Sequence, residues 1–247
     1  KRENVIKLMD VINKTHNEKH LIRHRFHARV EIDSIDEVEN IKNYIKEGNV
    51  HLLSFMDHTP GQGQYSDIDT YRKILKGYKN VSDSEIDDMV EARRNKTTIT
   101  VDVMKEMAEL AKERNIAIAS HDDDSVEKIE FVEELGATIS EFPITMDVAS
   151  AAQEKGMLTI AGAPNVLLGK SHAGNLSAAE AIKEKCIDIL CSDYYPAAML
   201  HSIFKLNENY DIDLCEAFKY VTINPAKAVK MDNVIGSIKE GKNCLLY

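Results

Sequence analysis

The sequence has no CxxC pair, no apolar run approaching the ~20 residues of a membrane span, and no GxGxxG motif. Each absence closes off a class. Without CxxC, the four cysteines, Cys186, Cys191, Cys215 and Cys244, read as reduced core or surface thiols of a cytosolic protein. Without a long apolar run, no membrane partner is expected. Without GxGxxG, a dinucleotide-binding fold has no support. Net positive charge is lacking as well: 31 Lys and Arg stand against 41 Asp and Glu, and the formal net charge of −10 argues against nucleic acid or an anionic membrane as a broad partner. A phosphate can still be held where the site is locally basic. The opening "KRENVIKLMDVINKTHNEKH" is amphipathic and highly charged, unlike a signal peptide. There is no initiator methionine, and the chain closes on "SIKEGKNCLLY", a turn leading into an apolar strand. Both ends are those expected of a fragment of a longer protein.

What is present is alternation. The 247 residues, 43% of them hydrophobic, suit one large domain or two small ones. Helical spacing of Val5, Leu8, Met9 and Ile12 predicts a helix over 3–18. Strands are expected at 21–32, 50–56, 116–119, 138–141, 158–161 and 188–191, and most are separated by helices. In the first strand Leu21, Arg23, Arg25, His27, Arg29 and Glu31 share one unusually polar face. Residues 66–96 carry two amphipathic helices, the second opened by a capping box at Ser82–Glu85, and read as an insertion. Repeated strand–helix–strand calls for parallel strands with right-handed crossovers, in a doubly wound sheet or a (β/α)8 barrel.

The polar residues decide between them. Glu31, Asp57 and His58, His121, and Asp193 each lie at or just after the C-terminal end of an expected strand. In a (β/α)8 barrel those ends gather on one face. A Glu, two His and an Asp there form a ligand set for a divalent metal, with neutral nitrogen from imidazole and oxygen from carboxylates. Singly, each has an ordinary reading. Most histidines are exposed or satisfied, Asp122 to Asp124 resemble a solvated helix start, and Asp193 before "YYP" resembles a turn residue. Their shared position at strand ends is the argument. The stretch "GAPNVLLGKSHAGNLSA" (162–178) adds glycines, Lys170, Ser171 and His172 before a helix, which is how an anion site is built. It is not a Walker A loop, because six residues separate its first two glycines.

The blocks "FMDHTPGQGQ", "SHDDD", "EFP", "GAPNVLLGKSHAGNLSA" and "LCSDYYPAAML" resemble the signature blocks of the ribose 1-methylphosphonate 5-triphosphate diphosphatases, a family within the amidohydrolase superfamily. The resemblance runs from about residue 20 to 240. It implies an α/β fold, a metal-dependent-hydrolase (β/α)8 TIM-like barrel, here incomplete. The barrel would span 1–235, with the insertion at 66–96, and 236–247 would begin a C-terminal β segment. It implies one or two divalent ions, zinc, manganese or iron, on Glu31, His58, His121 and Asp193. The superfamily also uses an HxH pair, which this sequence lacks, so either the chain is a fragment or the site is defective.

Three activities follow as expectations. The first is cleavage of the triphosphate of a phosphorylated ribose phosphonate, with pyrophosphate leaving. Asp193 would take the proton from water; Lys170, His172, Asn165, Ser171, Asn175, Arg25 and Arg29 would hold the substrate. The second is hydrolysis of a C–N bond in an amide or amidine by the same metal. The third is a catalytically incompetent piece that binds sugar phosphates. Exposed sheet edges would call for a second polypeptide, an N-terminal piece or a second copy of the chain as cover.

Overall fold

The structure is a computed structural model that describes residues 2–16, 18, 23–63, 67–78, 81–169 and 176–243. In chain order the elements are α1 (Arg2–His16), β1 (His27–Glu31), α2 (Val38–Lys46), β2 (Leu52–Met56), α3 (Ile68–Tyr78), α4 (Asp83–Arg94), α5 (Val101–Glu113), β3 (Ala117–His121), α6 (Val126–Glu134), β4 (Ile139–Glu141), α7 (Met146–Glu154), β5 (Leu158–Gly162), α8 (Ala163–Leu168), α9 (Ala178–Lys183), β6 (Ile189–Cys191), α10 (Ala198–Tyr210), α11 (Leu214–Lys219) and α12 (Ile223–Ala228). The strands form one parallel sheet in the order β1-β2-β3-β4-β5-β6, so every expected strand belongs to it, 138–141 and 158–161 included.

Period two gives the sheet two faces. Ala28, Val30, Leu53, Phe55 and Ile118 point to the helices and pack with Ile45 of α2, Met104 and Met107 of α5 and Ile129 of α6. The opposite face is layered by register. Arg29, Ser54, Ala119, Ile139 and Leu158 form one row, and Met56 aligns with Glu31, as Glu141 does with His121 and Ile160. Layered side chains on the concave face of a parallel sheet are the barrel arrangement. Among the described residues, β1 and β6 pair with no further strand, so the barrel is open. The outer side of β6 is covered where Leu190 N–H donates to Tyr220 O at 2.9 Å.

Three local expectations change. The first strand begins only at His27. His27 registers with Leu52, the first residue of β2, and just upstream the Phe26 C=O still accepts His51 N–H at 2.8 Å, beyond the end of the ladder. Residues 19–22 lie outside the described residues. The front of the 162–178 stretch is the short helix α8, with Pro164 in its first turn, rather than open loop. Residues 236–243 are turns and bends, and 244–247 lie outside the described residues. The stretch expected as an insertion carries the helices α3 and α4, and the capping box forms: Ser82 Oγ accepts Glu85 N–H while the Glu85 carboxylate accepts Ser82 N–H. No described helix is long and apolar enough to cross a membrane.

Candidate metal centre

The C-terminal ends of β1 to β4 bring four titratable side chains to one rim. Glu31, His121 and Glu141 are the last residues of β1, β3 and β4, and His58 follows β2 by two residues. His58 rides on a loop fixed from three sides. Asp57 Oδ1 accepts Thr59 N–H at 2.9 Å, Arg94 Nε donates to Pro60 O at 3.0 Å, and Gly63 N–H donates to Asp124 Oδ2 at 2.6 Å.

Each imidazole is oriented by a carboxylate. His58 Nδ1 meets Glu31 Oε1 at 2.7 Å, and His121 Nδ1 meets Glu141 Oε2 at 3.2 Å. Both rings then turn Nε2 toward Asp122 Oδ2, at 3.4 and 3.5 Å. This is how ligating histidines are held, with the far nitrogen bonded to a carboxylate. The Asp122 carboxylate facing Nε2, and then the Glu31 carboxylate at Nδ1, push the His58 pKa up to about 9. Arg29, one row below the rim, places Nη2 3.0 Å from His121 Nε2 and Nε 3.0 Å from Met56 Sδ. As a pure donor, Arg29 requires a lone pair on Nε2, so the His121 proton sits on Nδ1 toward Glu141.

The fit to a cation can be tested on these atoms. Asp122 Oδ2 is buried and accepts no hydrogen bond of ordinary geometry, though two ring nitrogens face it. The ligand atoms of His58, His121 and Asp122 lie within 4.8 Å of one another. A tetrahedral ion with bonds of about 2.0–2.1 Å separates its ligands by about 3.3 Å, close to the distances seen. The three residues therefore fit a divalent metal.

Asp122 was not among the expected ligands. It stands in a left-handed conformation (φ 50°), which swings its carboxylate back over the rim instead of into a helix start. Asp122 and Asp123 are buried, against the reading of "DDD" as solvated. Asp123 accepts from Ser120 and Ser140 through Oδ2, and Lys128 Nζ lies 3.5 Å from its Oδ1. Lys128 also donates to the carbonyls of His121 (2.9 Å) and Asp122 (3.1 Å), clamping the turn from α6. Glu141 was missed as well, although "EFP" places it at a strand end like the others.

The remaining expected residues fall in several places. Asp193 lies at the same rim after β6, outside the three-residue group. It lies beside Gly162: a Cβ there would be in ordinary contact, 3.6 Å from Asp193 Oδ2. Burial pushes the neighbouring Cys191 thiol up to about 12, with the charges of Asp193 and Glu141 adding to it. Asn165 is corrected as a substrate donor. Its Nδ2 donates to Leu176 O at 2.9 Å and its Oδ1 accepts Ala178 N–H at 3.0 Å, which closes the loop between α8 and α9. Arg25 is corrected too. It precedes β1, at the end of the sheet opposite the rim, about 20 Å along the strand from Glu31. Lys170, Ser171, His172 and Asn175 lie outside the described residues.

A parallel α/β sheet with imidazoles and carboxylates at its C-terminal rim defines an open-barrel protein whose rim group fits a divalent metal. Residues 32–244 match the model of the amidohydrolase family. The chain belongs to that family. It is 34% identical over 244 residues to the alpha-D-ribose 1-methylphosphonate 5-triphosphate diphosphatase of Escherichia coli (strain K12), covering 97% of this chain and 64% of that relative. The chain thus spans 64% of the length of the relative it matches. Among solved structures it is similar to an adenosine deaminase from Xanthomonas campestris with bound zinc (TM-score 0.57, 14% identity, 95% of this chain and 54% of that one). It is also similar to a prolidase complexed with N-methylphosphonate-L-proline (0.56, 13%, 96% and 64%) and to a D-hydantoinase (0.54, 12%, 96% and 62%). At these identities the structural likenesses speak to fold alone.

Proposed function

We propose that this chain is the metal-binding part of a hydrolase that cleaves the triphosphate of alpha-D-ribose 1-methylphosphonate 5-triphosphate and releases pyrophosphate. The observation that carries the metal is Asp122 Oδ2, buried without a hydrogen bond and faced by two imidazole nitrogens. The substrate class rests on the 34% identical relative. The donor set, two nitrogens and one oxygen, suits zinc, manganese or iron. Such an ion would supply Lewis acidity that acidifies water and stabilises charge on a phosphoryl oxygen.

The chain's own residues do the rest. Glu31 and Glu141 hold the His58 and His121 rings in the orientation that presents Nε2. Arg29 gives up its hydrogen bond to His121 Nε2 when that lone pair is taken, which frees a guanidinium for a phosphate oxygen. Asp193, at the rim beside Gly162, is positioned to accept a proton from water. Lys170, Ser171, His172 and Asn175 supply further phosphate donors in this reading.

The test is pyrophosphate release from that triphosphate after loading with zinc, manganese or iron, together with metal content by mass spectrometry. Stoichiometric metal and release, both lost in H58Q and H121Q, are expected. A metal-loaded chain that ignores the triphosphate and opens a hydantoin or a dipeptide would move the reading to C–N hydrolysis. Failure to retain metal would remove the hydrolase altogether.

A further inference from the structure

A polar cavity of about 340 Å³ opens beside His58, within the roughly 300–1,000 Å³ range of small-molecule sites. Its walls come from three segments. Glu31 ends β1 and Asp33 follows it, Asp57 to Thr59 follow β2, and Arg93 lies in the last turn of α4 with Lys96 and Thr98 just after it. The α3–α4 helix pair thus reaches the rim and supplies its basic wall.

Three cations crowd that end of α4, and the helix dipole alone would favour them there. Position on the helix therefore argues nothing; how each is used does. Arg94 Nε donates to Pro60 O and fastens the His58 loop. Lys96 Nζ pairs with Asp33 at 2.6 Å and fastens the turn after β1. Arg93 lines the cavity, and its guanidinium makes no hydrogen bond or ion pair among the described residues. Of the acidic groups of the wall, Asp33 pairs with Lys96, and Glu31 is hydrogen-bonded to His58 Nδ1. Asp57 remains, accepting the Thr59 N–H. Without Arg93 the wall would therefore be acidic on balance and would repel an anion. With it, the cavity presents a guanidinium fork and the hydroxyls of Thr59 and Thr98, the donor set that two oxygens of a phosphate require.

We propose that this cavity is a phosphate subsite, with Arg93 as its cation, which takes a phosphoryl group of the substrate's triphosphate chain next to the metal centre. The subsite rests on the diphosphatase reading for its substrate, and its geometry gives the α3–α4 helix pair a part in specificity.

The probe is inorganic tripolyphosphate, titrated calorimetrically into the whole chain without added metal. Wild type is expected to bind. Arg93→Ala should weaken binding at least tenfold, and Arg93→Lys, which keeps the charge but loses the fork, should fall between. Lys155→Ala, on the distant end of α7, is the control and should bind as wild type does. Unchanged thermal melting of the Arg93 variants keeps the comparison sound. Wild-type affinity in Arg93→Ala, or no binding by wild type, overturns the subsite. Turnover separates the two ideas. Binding through Arg93 with no pyrophosphate released from the ribose triphosphate leaves the subsite standing and removes the diphosphatase. Release with an unchanged KM in Arg93→Ala does the reverse.

Discussion

Replacing Lys128 with methionine should cost the fold about 3 kcal/mol. The Lys128 ammonium donates to the carbonyls of His121 and Asp122 and lies 3.5 Å from Asp123 Oδ1. Asp123 is fully buried, so the variant strands a carboxylate whose remaining partners are the hydroxyls of Ser120 and Ser140. Breaking a buried ion pair from one side costs about 3–5 kcal/mol, and charge-assisted hydrogen bonds are worth about 1.5–3 kcal/mol. Two facts pull the sum to the low end. The ion-pair contact is long, and the Lys128 side chain keeps 19% of its surface in water. Against a typical stability of about 5–15 kcal/mol, such a loss is plain in urea unfolding at unchanged m. The partner variant Asp123→Asn completes a double-mutant cycle. If the stranded charge is the source, K128M/D123N should be less destabilised than the sum of the single variants by more than about 1 kcal/mol. A single-variant loss under about 1 kcal/mol, or an additive cycle, would refute the argument.

Other outcomes are expected from the same geometry. Gly63→Ala should destabilise the rim by about 1–2 kcal/mol. Its φ is +54°, and a Cβ would meet Asp122 Cβ, Asp122 O and Asp57 O, each at 3.2 Å; a melting temperature equal to wild type would contradict this. Glu31→Gln should lower metal affinity by about 10–100-fold while leaving the fold intact, since Glu31 orients His58 from behind; competition against a chelator measures it. Stability should also fall as pH drops below about 6.5. Burial lowers both His27 and His51, with Arg29 adding at the first and Arg25 at the second, while Glu141 partly opposes at His27. The folded chain then takes up fewer protons at these rings than the unfolded chain, so their contribution is present above the unfolded value and lost below it. His51 has a concrete reason to stay neutral: its Nδ1 accepts Phe26 N–H at 3.1 Å. The double variant H27Q/H51Q should flatten urea midpoints between pH 7 and 5, and an unchanged slope would count against the assignment.

Strand ends were legible in the sequence because period-two apolar runs stop where a polar residue begins. That rule places Glu31, His58, His121 and Asp193 at one rim, and the sheet order keeps them there. What was not legible is how the chain turns after each strand. Read as propensity, "DDD" before Ser125 and a helix is a solvated cap. In the fold Ser125 itself caps α6, accepting Lys128 N–H, which releases the aspartates for other work. The same blindness affected Asn165 and Arg25. An asparagine in a glycine-rich stretch looks like a ligand donor until the loop it closes is known. An arginine on an alternating face looks active until the strand is found to start two residues later. Arg93 carried no signal, because a cation at the end of an exposed helix is what the dipole favours.

The left-handed residues tie these points together. Among the described residues, seven other than glycine have positive φ. Asn115, Lys185, Asp211 and Lys230 end helices, where that conformation is ordinary. The other three, Asp122 (φ 50°), Phe142 (59°) and Asp193 (48°), follow β3, β4 and β6 at the rim. Each conformation costs about 1–2 kcal/mol for a residue with a Cβ, and a bulky phenylalanine is a true outlier. Glycine would remove that cost, yet it would also remove the side chain, and each side chain is in use. Asp122 faces both imidazoles, the Phe142 ring stands edge-on to His121 with centroids 5.2 Å apart, and Asp193 reaches beside Gly162. Strain confined to one rim, at positions where the side chains meet the candidate ligands, is what a site held in place by its scaffold requires. A turn that served only to reverse the chain would have no reason to keep it.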